Sequence, residues 1–554
     1  MAVSPASPVS PASPVSPVSP ASPDPRPLFN ASEYLLDRRL EAGDGDRVAL
    51  VGDAGESTYA ELHRDVVRTA AGLVEVGVLP EQRVLMIVAD SPAFVVLFLA
   101  ALRIGAIPVP VSTMLTAADI ADLLVDSRCT AVAVSGAFAP AVDAAIDASP
   151  FLRAVVDLEG SGIAQRGTVR VITGAALAEI GDGGTPAPVY PTQADSPAFW
   201  LYTSGTTGKP KGAMHRHGAI REVCETYGTQ VLGITRDDRC LSAAKAFFAF
   251  GLGNSVLFPL SVGASTVLVP VASKPDVIAE SVRRHRPTLF FGGPTFFANM
   301  LRAELPAESL EGVRLIASAG EPLPAGLYRR FVEHFGVDIL DGIGMTEMLH
   351  IFLSNREHEV RPGTTGVAVP GYDLELRDEL GAVITGPDTP GTLFVRGAST
   401  ATGYWSRYDA SRQVFQGEWL RTGDTYVRDA DGYYACLGRT GDMLKASGIW
   451  VSPADIEGQL LAHAAVAQAA VVAANDDDGL ERPVAYVILA AGATTDEAEL
   501  MAFCRDNLAS FKRPRRVVVV DEFPTTATGK IRRVELRAMA EQILTVTAPA
   551  RAGV

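Results

Sequence analysis

The alternation of short β-branched runs with Ala- and Leu-rich stretches, which begins near Leu28, is the feature that most constrains the fold of this chain. Five runs have the length and composition of buried strands: residues 84–88, 131–134, 267–271, 288–291 and 315–318. Residues 94–104 predict a helix between the first two. Strands and helices in turn are typical of parallel α/β layers with right-handed crossovers. We therefore expect two α/β layers in one large N-terminal domain.

The pattern changes after Gly366, where short runs separated by Gly and Asp turns predict a small β-barrel. These runs are residues 391–396, 404–405, 418–420 and 432–436. A boundary is expected near Gly441. Residues 456–544 have the size of an α+β lid, with strands at 469–473, 483–489 and 516–520. We predict a tail at 1–27, an N-terminal domain at 28–440, a mobile lid domain at 441–545 and a flexible tail at 546–554.

Composition excludes several classes of protein. A chain of 554 residues exceeds one hydrophobic core, so three or more packed units are expected. The net charge of −16 argues against a nucleic-acid partner and against binding to anionic membranes. The longest apolar run, residues 93–102, is too short to span a bilayer and predicts a buried helix. The cysteines form neither CxxC pairs nor a Cys/His cluster, which favours a reducing cytoplasm and no structural zinc.

The first residues have a repeat of their own. Proline recurs at every third position from Pro5 to Pro23, each time after a serine. This period matches polyproline II and predicts an exposed, disordered tail. The tail lacks the basic and apolar regions of a secretory signal. We interpret it as a spacer, with recognition by proline-reading partners as the alternative.

The most informative motif for function is residues 202–212, Tyr-Thr-Ser-Gly-Thr-Thr-Gly-Lys-Pro-Lys-Gly. Its glycines, hydroxyls and lysines predict a loop that folds around polyphosphate, with a nucleoside triphosphate as the ligand. It is not a Walker loop, because the spacing differs and Pro210 stands where the phosphate-capping helix would begin. A plain turn is the alternative interpretation, but a plain connector would not concentrate so many hydroxyls beside Lys209 and Lys211.

Five further segments follow in order: Ala319-Gly320-Glu321-Pro322, Gly342-Ile343-Gly344-Met345-Thr346-Glu347, Thr422-Gly423-Asp424, Gly438-Arg439-Thr440-Gly441-Asp442 and Pro524-Thr525-Thr526-Ala527-Thr528-Gly529-Lys530. Each alone is typical of a turn. Together with the 202–212 loop, their order and spacing resemble the adenylate-forming superfamily. This superfamily includes acyl- and aryl-CoA ligases, luciferases and peptide-synthetase adenylation domains. The resemblance covers nearly the whole chain after the tail.

The resemblance implies an attack of a carboxylate on the α-phosphorus of ATP, assisted by Mg²⁺. Glu347 would hold the metal, Thr346 would donate to the α-phosphate, and Asp424 and Arg439 would bind the ribose or a phosphate. The residues expected at the β- and γ-phosphates are Thr203, Ser204, Gly205, Thr206, Thr207, Gly208 and Lys209. The remaining predicted nucleotide contacts are Gly320, Glu321, Pro322, Asp341 and Gly342.

The lid is expected to supply Lys530, which would reach the attacking carboxylate and the α-phosphate during adenylation. The family then rotates the lid so that a thiol can attack the acyl-adenylate. The pivot is expected at Gly441 and Asp442, where many relatives have two acidic residues. Glycine absorbs a large φ/ψ change without penalty, so rotation is compatible with this departure.

Residues 245–254 and 348–355 resemble the benzoate-CoA ligase branch in particular, and predict a flat apolar slot for an aromatic ring. The predicted acid-binding residues are Phe248, Ala249, Phe250, Gly251, Gly292, Gly344, Met345, His350 and Ile351. Gly292 and its neighbour Gly293 would leave room for the ring, Phe248 would gate the thiol tunnel, and Phe247 is assigned to the core. Phe250 stands where relatives often have Tyr, and Met345 where they often have Ser. His350 either donates to the substrate or is a satisfied histidine behind the pocket.

Three functions are compatible with these residues. The first is an aryl-CoA ligase with ATP, CoA and an aromatic acid as substrates. The second is a stand-alone enzyme that loads an aryl group onto an acyl-carrier protein. The third is a non-catalytic adenylate-binding protein, which an intact Lys530 and Glu347 argue against. No carrier domain follows residue 554, so loading in cis is not expected. We expect a cytoplasmic monomer or homodimer.

Overall fold

The computed structural model describes residues 27–52, 55–183, 187–204, 210–441, 444–446, 449–475, 481–525 and 531–546. Several predictions fall outside this part of the chain: the tail except Pro27, loop residues 205–209, Asp442, Lys530 and the end beyond residue 546. The side chain of Ser204 is also outside it.

The strands within these ranges are β1 (Val48–Gly52), β2 (Gly55–Thr58), β3 (Arg83–Ile87), β4 (Ile107–Pro110), β5 (Ala131–Val134), β6 (Ala154–Asp157), β7 (Arg170–Thr173), β8 (Pro197–Ser204), β9 (Pro210–Arg216), β10 (Arg239–Ser242), β11 (Ser265–Val267), β12 (Leu289–Gly292), β13 (Leu315–Ser318), β14 (Ile339–Gly344), β15 (Ile351–Ser354), β16 (Val367–Ala368), β17 (Asp373–Arg377), β18 (Gly391–Arg396), β19 (Phe415–Gln416), β20 (Trp419–Arg428), β21 (Tyr434–Arg439), β22 (Leu444–Ala446), β23 (Ile449–Val451), β24 (Val466–Asn475), β25 (Glu481–Leu489) and β26 (Arg516–Val519).

The α-helices are α1 (Arg38–Glu41), α2 (Tyr59–Glu75), α3 (Pro92–Arg103), α4 (Ala117–Ser127), α5 (Ala139–Asp143), α6 (Gly174–Gly183), α7 (His217–Val223), α8 (Ala249–Leu252), α9 (Phe258–Val262), α10 (Pro275–His285), α11 (Pro294–Arg302), α12 (Ala325–Phe335), α13 (Tyr408–Val414), α14 (Pro453–Leu461), α15 (Glu497–Asn507) and α16 (Arg533–Val546). Capping boxes at Thr58 and Thr116 begin α2 and α4. Short π-helical or 3₁₀ turns lie at Glu33–Asp37, Gly136–Phe138, Ile146–Ala148, Cys224–Val231, Gly253–Leu257, Ala307–Leu310, Thr346–Met348 and Ser510–Lys512.

Two sheets confirm the predicted α/β layers. The larger has the order β16-β15-β14-β13-β12-β10-β11-β1-β2, and its strands from β14 to β1 run parallel. The smaller has the order β4-β3-β5-β6-β7 and is parallel throughout. β8 and β9 form a separate antiparallel hairpin.

Alternate side chains of the strands divide between three cores. In β3, Val84 and Met86 face a core that also takes in Phe291 of β12 and the buried helix α3. The intervening Leu85 and Ile87 face a second core, which α4 and α5 cover. The outer face of the larger sheet packs against α10, α11 and α12. Because both faces of each sheet are covered, the strands carry continuous apolar runs instead of polar alternation.

The C-terminal part of the chain holds two smaller units. The runs after Gly366 include strands β17 to β21, which pair into a five-stranded antiparallel sheet. Beyond residue 441, β24, β25 and β26 form a three-stranded sheet. Helices α14 and α15 pack on one of its faces and α16 packs on the other.

The predicted strand at 267–271 is wrong in extent, and the one predicted at 404–405 is not a strand. The run at 267–271 is paired only as far as Val267, where the register with β1 and β10 ends. Tyr404 makes a single bridge to Ala213 and belongs to no strand. Within the part of the chain that the structure describes, no helix combines the length and apolarity needed to cross a membrane. All five cysteines lie in the described residues and are free thiols there.

Candidate functional site

Four neighbouring parallel strands of the larger sheet, β10, β12, β13 and β14, end at one edge. The chain leaves this edge through residues 243–248, Gly293, residues 319–322 and residues 345–347. All four segments carry predicted site residues. The carboxyl edge of a parallel sheet is where ligands of open α/β folds bind. Segments from distant parts of the sequence are thus brought together here.

The predicted polyphosphate loop connects β8 to β9, which pair as an antiparallel hairpin. Half-buried Thr203 pairs with Lys211 across the hairpin, so the two strands hold the loop at its base. Behind Thr203, the Tyr202 hydroxyl donates to Asp126 Oδ2 at 2.7 Å. Trp405 Nε1 donates to the Asp126 carbonyl at 2.9 Å. These contacts hold Tyr202 of β8 and Trp405 against α4.

A buried histidine connects this hairpin to the turn that follows β14. His215 Nε2 lies 2.8 Å from the Thr346 carbonyl, and its ring stacks on Phe199 at 4.9 Å. Burial lowers the pKa of His215 to about 4, so the ring is neutral. A neutral ring bonded to a carbonyl through Nε2 carries its proton there and donates. His215 therefore joins β9 to the turn that contains Thr346.

Glu347 lies in the Thr346–Met348 turn and is 6% exposed. The Tyr404 hydroxyl donates to its Oε1 at 2.5 Å, and the Ala401 amide donates to its carbonyl at 2.8 Å. Burial, and then the charge of Glu347, raise the pKa of Tyr404 above its usual range, so the phenol remains a donor.

Glu347 suits a cation that brings most of its own ligands. Among the described residues there is no group of three His, Cys, Asp or Glu that could hold a metal ion. Mg²⁺ commonly binds through one or two carboxylates together with water and substrate phosphates. A single carboxylate oriented by the Tyr404 hydroxyl fits that requirement.

Asp341 and Gly342 lie on β14, shortly before Thr346 in the sequence. Asp341 is 6% exposed, and burial raises its pKa to about 7. On the neighbouring strand end, Gly320 has φ +94°, a conformation that favours glycine. The Glu321 carboxylate accepts a hydrogen bond from the Thr295 hydroxyl at 2.6 Å, while Pro322 is exposed. These residues line one side of the sheet edge.

Asp424 and Arg439 are paired residues on β20 and β21. Asp424 Oδ1 lies 3.2 Å from Arg439 Nε, with the side chains 12% and 60% exposed respectively. A partly open carboxylate beside a guanidinium can accept from hydroxyls and donate to an anion. Gly441 follows two residues after Arg439, and its carbonyl accepts a 3.5 Å hydrogen bond from Arg537 of α16.

Aromatic rings gather at the carboxyl end of β12. The ring centroid of Phe250 lies 5.5 Å from that of His350 and 6.4 Å from that of Phe291 at the end of β12. Phe248 precedes α8, which contains Ala249, Phe250 and Gly251. Phe247 is 5% exposed and belongs to the core, as predicted. The acid-pocket segment, which we define as residues 245–251, thus lies at the same edge of the sheet as the predicted nucleotide contacts that follow β13 and β14.

His350 is 2% exposed, and burial lowers its pKa to about 3. Its Nε2 lies 3.3 Å from the Phe250 carbonyl, so the neutral ring donates to α8. Its ring also meets Phe258 edge to face at 4.5 Å. This hydrogen bond engages the donor of the neutral ring. Donation from His350 to a substrate stays a prediction.

Close packing explains two of the predicted site glycines. A Cβ at Gly344 would lie 2.6 Å from the His350 carbonyl oxygen, so β14 and β15 can approach only without a side chain there. A Cβ at Gly292 would lie 2.8 Å from Phe297 Cε1. The structure therefore gives Gly292 a packing reason besides the predicted room for a ring. Ile351, 1% exposed, packs beside Gly342.

The fold and the arrangement of the predicted site residues are those expected of an adenylate-forming enzyme, and the family comparisons agree. Residues 36–405 match the AMP-binding enzyme family, and residues 455–530 match the AMP-binding enzyme C-terminal domain. The chain belongs to the AMP-binding enzyme family.

Individual relatives are similar over almost the whole chain. The benzoate–CoA ligase of Thauera aromatica is 42% identical over 514 residues, which cover 92% of this chain and 96% of that protein. The solved structure of a benzoate CoA ligase from Burkholderia xenovorans LB400 matches with a TM-score of 0.83 and 42% identity, covering 92% of this chain and 100% of that one. The anthranilate CoA ligase AuaEII, solved with anthranoyl-AMP, matches with a TM-score of 0.86 and 35% identity, covering 94% and 98%.

Proposed function

We propose that this protein is an ATP-dependent aryl-CoA ligase that converts benzoate or a substituted benzoate, through an aryl-adenylate, into aryl-CoA, AMP and pyrophosphate. The observation that carries the proposal is the juxtaposition on β14 and the turn after it. Gly344 packs against the backbone of the pocket residue His350, and three residues later Glu347 is oriented by Tyr404. A ring bound beside Phe250 would place its carboxylate near the nucleotide residues.

In the first half-reaction, a carboxylate oxygen attacks the α-phosphorus of ATP and pyrophosphate leaves. Two anions must approach each other, so the site has to supply positive charge and preorganised donors. The β8–β9 hairpin and its loop would hold the departing phosphates, and Thr346 would donate to the α-phosphate. Mg²⁺ held by Glu347 would neutralise phosphate charge when bound. Asp424 and Arg439 would hold the ribose. From the sequence motif, Lys530 would stabilise the attacking carboxylate.

In the second half-reaction, the CoA thiolate attacks the acyl carbon and AMP leaves with the oxygen that joined it to the acyl group. We propose the division into a domain at 28–440 and a lid at 441–545, with the pivot at Gly441 and Asp442. Rotation would withdraw Lys530 and open a path for the thiol past Phe248. The match of residues 455–530 to a separate C-terminal domain family supports this division.

The acid pocket favours a planar apolar ring. Phe250 and Met345 pack against the apolar core and contribute no hydroxyl to the pocket. We therefore place unsubstituted benzoate among the best substrates, with hydroxy- or amino-substituted rings gaining less from binding. Filling an apolar pocket also disfavours acetate, because a methyl group buries little surface.

The test is pyrophosphate release by the full-length protein with benzoate, hydroxybenzoates, aminobenzoates, acetate and a long-chain acid. Each reaction is run without acceptor, with CoA and with an acyl-carrier protein, and thioesters are identified by mass spectrometry. We expect benzoate-like acids to exceed the aliphatic acids, and aryl-CoA to be the product. A preference for acetate or a long-chain acid would contradict the substrate class. Transfer to the carrier protein but not to CoA would contradict the acceptor.

A further inference from the structure

Asp90 is a buried carboxylate at the carboxyl edge of the smaller sheet, after β3 and just before α3. It is 4% exposed. Both of its oxygens accept from the backbone amide of Ala246, at 3.1 and 3.2 Å, across 156 positions of sequence. This contact joins the smaller sheet to the acid-pocket segment at the end of β10.

Lys245, the neighbour of Ala246, is held equally closely. Its Nζ donates to the Val269 carbonyl at 2.7 Å and to the Val271 carbonyl at 2.6 Å, both beyond the end of β11. Burial lowers the pKa of Lys245, and the charge of Asp90 opposes that shift. The carbonyl of Lys245 abuts Gly251 so closely that a Cβ there would lie 2.0 Å from its oxygen. The segment is therefore held by contacts from the smaller sheet and from the chain after β11, and it packs closely on itself at Gly251.

The fixed positions lead directly into the aromatic pocket. The Phe248 amide donates to the Lys245 carbonyl at 3.0 Å, and α8 begins at the next residue. Phe250 on α8 accepts from His350 through its carbonyl and faces the His350 ring. The hydrogen bonds of Asp90 and Lys245 described above all go to backbone atoms of residues outside the predicted nucleotide contacts.

We propose that Asp90 and Lys245 form a clip that positions the acid-pocket segment for aryl-acid binding and for entry of the thiol. They are positioning residues, and this inference rests on the proposed function. Burying a carboxylate is costly, and burial raises the pKa of Asp90 to about 6. An apolar residue of similar size would be cheaper to bury but could not accept from the Ala246 amide. The hydrogen bonds of the clip thus hold the backbone before Phe248 in one position, although burying the Asp90 carboxylate makes the folded protein less stable than an apolar residue would.

The test compares Asp90→Ala, Asp90→Asn and Lys245→Met with the wild-type full-length protein. Asn keeps an oxygen that can accept from the Ala246 amide, so it is the conservative variant. Asp237→Ala is the matched control, because the Asp237 side chain is 82% exposed and lies away from the segment. The readouts are KM for the aryl acid and for ATP, the melting temperature, and thioester formation from pre-formed aryl-adenylate plus CoA.

For Asp90→Ala we expect an increase of about tenfold or more in KM for the acid and a similar loss in the thioester step, the scale for a hydrogen bond to a charged group. KM for ATP should change by less than about twofold, and Asp90→Asn should recover most of the loss. Lys245→Met should show the same selective pattern, and it decides the question if Asp90→Ala does not fold.

Equal increases in KM for acid and for ATP would overturn the clip, as would an unchanged KM for acid in Asp90→Ala or Lys245→Met. Failure of Asp90→Asn to recover more than Asp90→Ala would overturn it as well. The wild-type protein is first tested with the acid panel, and the ratios are measured with whichever acid it prefers. A wild-type protein that activates no aryl acid contradicts the proposed function, whereas unselective ratios with an accepted acid contradict only the clip.

Discussion

Replacing Tyr404 by phenylalanine removes one oxygen atom from the site and leaves the packing of the ring in place. That oxygen donates to Glu347 Oε1 at 2.5 Å, and Glu347 itself is 6% exposed. The carboxylate would lose the group that orients it and would keep its charge in a buried position. We expect weaker binding of the Mg²⁺–ATP complex, because a mobile carboxylate presents its free oxygen to the cation less often.

The size of the effect follows from the kind of hydrogen bond that is lost. A hydrogen bond to a charged group contributes about 1.5–3 kcal/mol, which corresponds to about 10- to 100-fold in an equilibrium constant. The loss should appear in KM for ATP at fixed Mg²⁺ and should shrink as Mg²⁺ is raised. KM for the aryl acid should hardly change. Among the residues that the structure describes, the ring of Tyr404 packs against Phe415 and not against the pocket rings of Phe250, Phe291 and His350.

Acid-dependent pyrophosphate release, measured over a matrix of ATP and Mg²⁺ concentrations, provides the assay. Tyr408→Phe is the control, since Tyr408 is 75% exposed on α13 and should behave like the wild-type protein. An unchanged KM for ATP in Tyr404→Phe, or a loss that raising Mg²⁺ does not reduce, would refute the role given to Glu347.

Four further predictions follow from individual residues. Gly344→Ala should raise KM for the acid and lower the melting temperature, because its Cβ would lie 2.6 Å from the His350 carbonyl, whereas Gly326→Ala on α12 has open space and should do neither. Phe250→Tyr should shift preference toward rings that carry an acceptor, and an unchanged acid profile would place Phe250 outside the pocket. Burial raises the pKa of Asp341 from 3.8 to about 7. Between these two pH values the folded protein keeps the proton that the unfolded chain releases, so the free energy of unfolding falls as the pH rises. An asparagine side chain does not ionise, so the melting temperature of Asp341→Asn minus that of the wild-type protein should increase from pH 4 to pH 7. A difference that stays constant over this range would contradict the raised pKa of Asp341. Lys530→Ala should cost about 10²–10³-fold or more in adenylate formation while sparing thioester formation from pre-formed aryl-adenylate, and equal loss of both steps would refute its assignment.

The layers of the fold could be predicted because they follow from local patterns. Buried parallel strands such as β5 and β13 are short, mainly apolar runs, and their predicted bounds agree with the structure. The sequence also predicts that loops after such strands meet at one edge. The end of β11 could not be predicted, because apolar residues continue to Val271 while the neighbouring strands have already ended.

The supports of the candidate site were beyond sequence reasoning for a different physical reason. His215 meets the Thr346 carbonyl across 131 positions, and Asp90 meets the Ala246 amide across 156. One partner in each contact is a backbone atom, which every residue possesses, so no pairing of residue types marks these contacts. The sequence predicts a strand at residues 404–405 and gives no sign that the Tyr404 hydroxyl donates to Glu347. This hydrogen bond depends on the fold, which brings together residues 57 positions apart.

Transfer of an oxygen atom from the acid to AMP tests the central claim most directly. The protein is incubated with ATP, CoA and benzoate labelled with oxygen-18 in both carboxyl positions, and the nucleotide product is analysed by mass spectrometry. Attack of the carboxylate on the α-phosphorus predicts AMP that carries one labelled oxygen, benzoyl-CoA that keeps the other labelled oxygen in its carbonyl group, and unlabelled pyrophosphate. Unlabelled AMP, or ADP with the label in inorganic phosphate, would contradict an aryl-adenylate intermediate.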